Sequence, residues 1–220
     1  MALSKLKYNS LNVTPVAGKA IGFDSGADDL SSSISGGSMN FIKKITASSD
    51  STISFVDGAS SVVLDNTYKE YLFTFKNWHP STDDQVSQFN LSVDSGSNYN
   101  VTKTSTFFRA YHFENDSDKG VGYQTGDDLA QSTAAQQLVN SCSGNDNDQS
   151  MNGYLHLFNP SDTTFVKHYI ACTNYSTCND TSTCNFISGY ANTTSAVDAV
   201  QFSMSSGNID AGDICLYGIK

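Results

Sequence analysis

The chain has 220 residues, of which only 15% are charged, and its formal net charge is −10, from 12 Lys plus Arg against 22 Asp plus Glu. Duplex phosphates are bound by clustered cations, and the nearest approach to a cluster is the pair Lys43-Lys44, so nucleic acid is excluded as a partner. No run approaches the ~20 apolar residues that span a bilayer, which excludes insertion by a membrane helix.

Residues 1–48 differ from the rest. They hold Gly18, Gly22, Gly26, Gly36 and Gly37, a serine run from Ser31 to Ser33, and only short apolar pieces. This segment reads as an extended arm with one or two strands, Ala20–Phe23 and Met39–Ile45, ordered by what it packs on. Met1 to Tyr8 alternates Leu and Lys without an apolar centre, so no standard secretory leader is expected.

From Thr52 onward apolar residues recur with a period of two, which puts one side of each strand in a core. Ile53 and Phe55 come first, then Tyr71, Phe73 and Phe75, then Leu91 and Val93. Phe107, Arg109, Tyr111 and Phe113 follow. Tyr154–Phe158, Phe165–Ala171, Phe186–Tyr190, Val200–Met204 and Ile214–Tyr217 complete the set. The separators carry turn chemistry, such as Asp57-Gly58, Asn152-Gly153, Ser206-Gly207 and Ala211-Gly212. Only Asp127 to Val139 has near-helical spacing, through Leu129, Ala130, Ala134 and Leu138, and predicts a short helix. Many short strands between turns, with 13 Phe and 11 Tyr to fill a core, define an all-β chain: a jelly-roll-like antiparallel β-sandwich over 49–220, behind the arm.

Chemistry-bearing motifs are sparse. No His-Glu-x-x-His, Gly-x-Ser-x-Gly or phosphate-loop pattern occurs, so no catalytic residue, metal ligand or cofactor is assigned. His156 and His168 lie in strand-like runs and are expected to face each other across a sheet; His79 and His112 complete the histidines. Asp83-Asp84, Asp116 with Asp118, Asp127-Asp128 and Asn145 to Asp148 form acidic loops, but the last run lacks the glycine and distal glutamate of an EF-hand. They read as solvated turns. A hydrolase would need two carboxylates flanking a scissile bond, and no such pair stands out.

The cysteines are Cys142, Cys172, Cys178, Cys184 and Cys215. The spacing of Cys172, Cys178 and Cys184 does not match zinc knuckles; a disulfide within that loop and small partly buried thiols both remain open. Trp78 and Tyr175, in or near loops, are the candidate glycan contacts, because flat rings stack on sugar faces; Trp78 also suits packing at a strand end. Seven Asn-x-Ser/Thr sequons reflect the richness in Asn, Ser and Thr.

Several stretches, in order, resemble phage virion structural proteins of the tail-fibre-like or head-decoration type, notably from phages of marine bacteria. They are Met1-Ala-Leu-Ser-Lys5, Tyr68 to Tyr71 running into Phe75 to Pro80, and Met151-Asn-Gly153 through Phe158-Asn-Pro160 to Val166-Lys-His168. Ala196 to Phe202 with Ser206 to Ile209, and Leu216 to Lys220, complete the series. The segment from Cys172 to Cys184 departs from the pattern. The resemblance implies a non-enzymatic β-sandwich displayed on a virion and made in the host bacterial cytoplasm. It would be a head decoration or a fibre component. Its partners would be further copies of itself, for example in a trimer, and capsid or tail proteins. Leu3, Leu6, Tyr8, Val13 and Ile21 would anchor the arm to the particle. Host surface glycans are the partners of the alternative reading, an adhesion module.

Overall fold

The computed structural model describes residues 22–23, 30–31 and 37–220. The chain divides into two compact units, 1–40 and 41–220. In the first, β1 (Gly22–Phe23) pairs antiparallel with β2 (Leu30–Ser31). The second begins within β3 (Met39–Thr46), ahead of the arm boundary expected at residue 48. It continues through β4 (Thr52–Val56), β5 (Glu70–Pro80), β6 (Ser87–Ser92), β7 (Lys103–Phe113), β8 (Lys119–Tyr123) and β9 (Gln136–Gln137). Then come β10 (Met151–Phe158), β11 (Lys167–Ser176), β12 (Thr181–Ala191), β13 (Ala199–Met204) and β14 (Ile209–Ile219).

Two sheets form, with strand orders β3-β14-β5-β10-β11-β12-β7-β8 and β4-β13-β6-β9. Every pairing described is antiparallel. The inward side chains of both sheets share one core, so the unit is the expected all-β sandwich. Phe202 of β13 is the centre of the contact. Its ring lies 5.2 Å from Phe73, 5.4 Å from Phe75, 5.8 Å from Trp78 and 6.1 Å from Phe55, all edge-on, the arrangement that ring quadrupoles favour.

Two turn signals of the sequence lie inside strands. Gly153 and Gly212 sit at register shifts of β10 and β14 against β5. At Gly212, where φ is +119°, a Cβ would meet the Asn77 carbonyl oxygen at 2.6 Å, so only glycine fits this bulge. β14 is therefore longer than Ile214–Tyr217 and lies inside the sheet. The run from Phe165 begins later than expected: Asp162 accepts hydrogen bonds from the amides of Thr164 and Phe165 at 2.6 and 2.7 Å, which holds a turn and delays β11 to Lys167.

The helix expected over Asp127–Val139 does not form, and no helix occurs among the described residues. That segment bridges the two sheets instead. Leu129 and Ser132 accept from the amides of Ser105 and Lys103, each at 2.8 Å, on the stretch of β7 that β8 leaves open. Gln136–Gln137 then pairs with β6. Unsatisfied strand edges outcompete a weak helical pattern.

Candidate functional site

Alternation on β10, β11, β12, β7 and β8 sends one set of side chains out from the large sheet. Registers align them across strands: Tyr154 opposes Cys172, Cys172 opposes Phe186, Phe186 opposes Phe108, and Phe108 opposes Tyr123. Toward β14 the row continues through Thr74 and Cys215. Tyr154, Phe186, Phe108 and Tyr123 are each 40–50% exposed. The row on one side holds Tyr217, Leu72, His156, Ile170, Ser188 and Thr106. The row on the other holds Asn152, Asn174, Cys184, Ala110 and Val121. From β10 to β8 none of the three rows contains Asp, Glu, Lys or Arg, in a chain of formal charge −10; across β5 and β14 the third row ends in Lys76 opposite Asp213.

Six apolar side chains stand out here, with Ile170 and Val121 beside the four rings. At roughly 150–250 Å² for a whole aromatic side chain, they expose on the order of 500 Å², as large as the biggest patch on most monomers. Phe108 and Phe186 stack on each other at 5.1 Å and 15°. Each ring thus has one face covered by the other and turns its edge outward. A shallow depression at the end of the face is lined by His168, Ile170, Tyr190, Phe158, Thr106 and Ser188.

The residues singled out in the sequence lie elsewhere. Trp78 is 1% exposed, and its indole N–H donates to Met204 Sδ at 3.1 Å in the core. Tyr175 is also 1% exposed, its hydroxyl donating to Asn140 Oδ1 at 2.9 Å and Ser141 O at 2.7 Å. Neither ring can present a face to a sugar, which corrects their reading as glycan contacts. Both end inward-facing runs, where packing decides. The anchor candidates Leu3, Leu6, Tyr8, Val13 and Ile21 lie outside the described residues.

His156 and His168 do not face each other: His156 is opposite Ile170, and His168 opposite Tyr190. His156 Nε2 is 3.0 Å from Glu70 Oε2, with its ring over Phe158. His79 is held between Asp210 Oδ1 at 2.7 Å and Asp146 O at 3.1 Å. The acidic loops fasten turns. Asp83 accepts from the Asn145 amide at 2.9 Å, and Asp116 pairs with Lys119 at 2.6 Å and His112 at 3.0 Å. Among the described residues, no three His, Cys, Asp or Glu side chains converge as metal ligands would.

The disulfide joins Cys142 to Cys178, with Cα atoms 5.6 Å apart, and does not lie within the 172–184 segment. That segment is no loop; it forms the facing arms of the β11–β12 hairpin. Cys172 and Cys184 are free, diagonal neighbours on its outer face, with sulfurs 3.9 Å apart. Burial, and then the neighbouring Cys184, push the Cys172 thiol up to about 11, so it is protonated at neutral pH and a poor nucleophile. The chain matches no known protein family, no curated protein and no solved structure.

Proposed function

We propose that this protein is a non-enzymatic structural protein of a bacteriophage particle, an exposed head decoration or fibre component that assembles with further copies of itself. The ordered resemblance of its segments to virion proteins supports the setting, and with it a jelly-roll-like body and attachment through the N-terminal arm. The observation that carries self-assembly is the uncharged aromatic row Tyr154, Phe186, Phe108 and Tyr123.

A second copy is the occupant that suits this face best. Stable interfaces bury about 800 Å² per partner, and on the order of 500 Å² of exposed apolar side chain supplies much of that. Copies that each carry formal charge −10 repel unless they meet through uncharged surface, and these three rows are uncharged from β10 to β8. The stacked Phe108 and Phe186 rings offer edges, which interdigitate with side chains better than they stack on a flat pyranose. An isologous contact places the same patch on both sides.

Sedimentation velocity tests this directly. The wild type is expected to be oligomeric at micromolar concentration, and Phe108→Ser/Phe186→Ser monomeric with unchanged circular dichroism. A wild type that stays monomeric would remove the self-assembly reading. Quantitative mass spectrometry of purified particles tests the setting: abundance near that of the major capsid protein indicates decoration, much lower abundance a fibre, and absence rejects the virion reading.

A further inference from the structure

The chain contains a single arginine, Arg109. It lies on the inward side of β7, beyond the end of the small sheet, in a cleft of about 300 Å³. The walls are polar: Ser141, Thr177, Asn179, Thr181 and Thr183, with Tyr111 and Asp118 at the mouth. Among the described residues Arg109 forms no ion pair. Its Nε is buried and meets no acceptor among the described residues. Its guanidinium rests 4.7 Å over the Tyr111 ring, which fixes its plane. Thr183 lines the same cleft, is fully buried, and its hydroxyl also has no partner among the described residues.

Those are unusual costs. A buried donor without an acceptor loses about 1–3 kcal/mol, more when charged. A lone arginine in an acidic chain commonly finds a carboxylate. Here the nearby carboxylates are engaged or set back. Asp118 accepts from the Tyr111 hydroxyl at 3.0 Å and from the Lys119 amide at 2.8 Å. Asp127 stands close enough to feel the arginine's charge, but burial dominates and lifts its carboxyl to about 6. The cleft is also rigidly framed: Cys142 lines it and is tied to Cys178, the amide of Cys178 donates to Cys142 O at 3.0 Å, and Ser143 bridges to Thr177.

We infer that this cleft is a binding site for the carboxylate of a small acidic ligand, with Arg109 as the fork. The planar guanidinium presents its two terminal Nη–H groups side by side, a spacing that matches the two oxygens of a carboxylate, while the Nε is closed off behind them. The cleft volume suits a monosaccharide or an amino-acid side chain. An acidic sugar and an acidic peptide share this chemistry. The inference is independent of the self-assembly reading, because the cleft opens on the inward side of the strands whose outward side carries the aromatic row.

The lone arginine supplies its own probe, since the protein gives one Nε–Hε resonance in a ¹H–¹⁵N spectrum. Full-length protein is titrated with glucuronate, glucose, N-acetylaspartate and inorganic phosphate. The expected result is a saturable shift of that resonance with a carboxylate and none with glucose. Glucuronate alone points to an acidic sugar, and N-acetylaspartate alone to an acidic peptide. By calorimetry, Arg109→Gln should weaken binding about tenfold or more, with Arg109→Lys intermediate because it keeps the charge without the fork. No shift with either carboxylate at tens of millimolar, tighter binding of phosphate, or unchanged affinity in folded Arg109→Gln would each overturn the assignment.

Discussion

Lys103 is fully buried on the inward side of β7. Its ammonium donates to Asn90 Oδ1 at 2.5 Å and Val101 O at 2.8 Å, with no carboxylate partner among the described residues. Burial pushes its pKa down from 10.5 to about 8. The unfolded chain therefore holds the proton more tightly, and between pH 8 and 10.5 it binds more protons than the folded one. Stability must rise with pH through that window. At about 1.4 kcal/mol per pH unit, keeping the charge buried at pH 7 costs about 3 kcal/mol, and about 1 kcal/mol of this is regained by pH 9. Lys103→Met keeps the length and removes the charge. Urea unfolding, followed by the fluorescence of the single, buried Trp78, should show wild type gaining about 1 kcal/mol more than the variant from pH 7 to 9. Other titrating groups are common to both proteins and cancel in the difference. Parallel pH profiles would refute the reasoning.

Phe202→Ala removes the ring that joins β13 to Phe55, Phe73, Phe75 and Trp78; denaturant melts should show a loss of about 3–5 kcal/mol. The Cys142–Cys178 disulfide closes a separation of 36 residues, and Cys142→Ser/Cys178→Ser should cost about 4 kcal/mol in the chain-entropy account, read as a lower urea midpoint. Asp127 is shifted the other way from Lys103, up to about 6 from 3.8. The folded chain binds more protons between those values, so this carboxyl lowers stability as pH rises from 4 to 6. Asp127→Asn should flatten that decline in pH-dependent thermal melts.

Strands with one apolar and one polar side were legible, because Phe73, Phe75, Phe202 and Leu216 mark the core by period alone. The 172–184 region was not. Its inward residues are Thr173, Tyr175, Thr177, Thr181, Thr183 and Asn185, all buried, and its outward ones include Phe186 and Cys172. Polar residues inside and apolar ones outside invert the pattern on which the period depends. Trp78 and Tyr175 misled for a related reason: aromatic residues beside polar turns read as surface, while their side of the strand is set by register with β10 and β12. The Cys142–Cys178 pairing joins residues 36 apart in sequence, with β10 and β11 between them, and no local spacing encodes it. One signal for the cleft was present and passed over: a lone arginine inside an alternating run of Phe107, Tyr111 and Phe113.

The two candidate surfaces share strands and differ by one residue of register. On β7, Phe108 faces out and Arg109 faces in; on β12, Phe186 faces out and Thr183 faces in. A strand side chain reaches only its own side of the sheet. Copies that associate through the aromatic row would therefore leave the arginine cleft open, each copy carrying one. If each cleft holds a carboxylate weakly, an array of such copies binds a polyvalent acidic surface far more tightly than one does, since every contact after the first is intramolecular. The two readings can then be separated by measurement. Phe108→Ser/Phe186→Ser should leave the affinity for a single carboxylate unchanged while abolishing the gain on a polyuronate. Arg109→Gln should weaken both by about tenfold or more without changing the sedimentation coefficient.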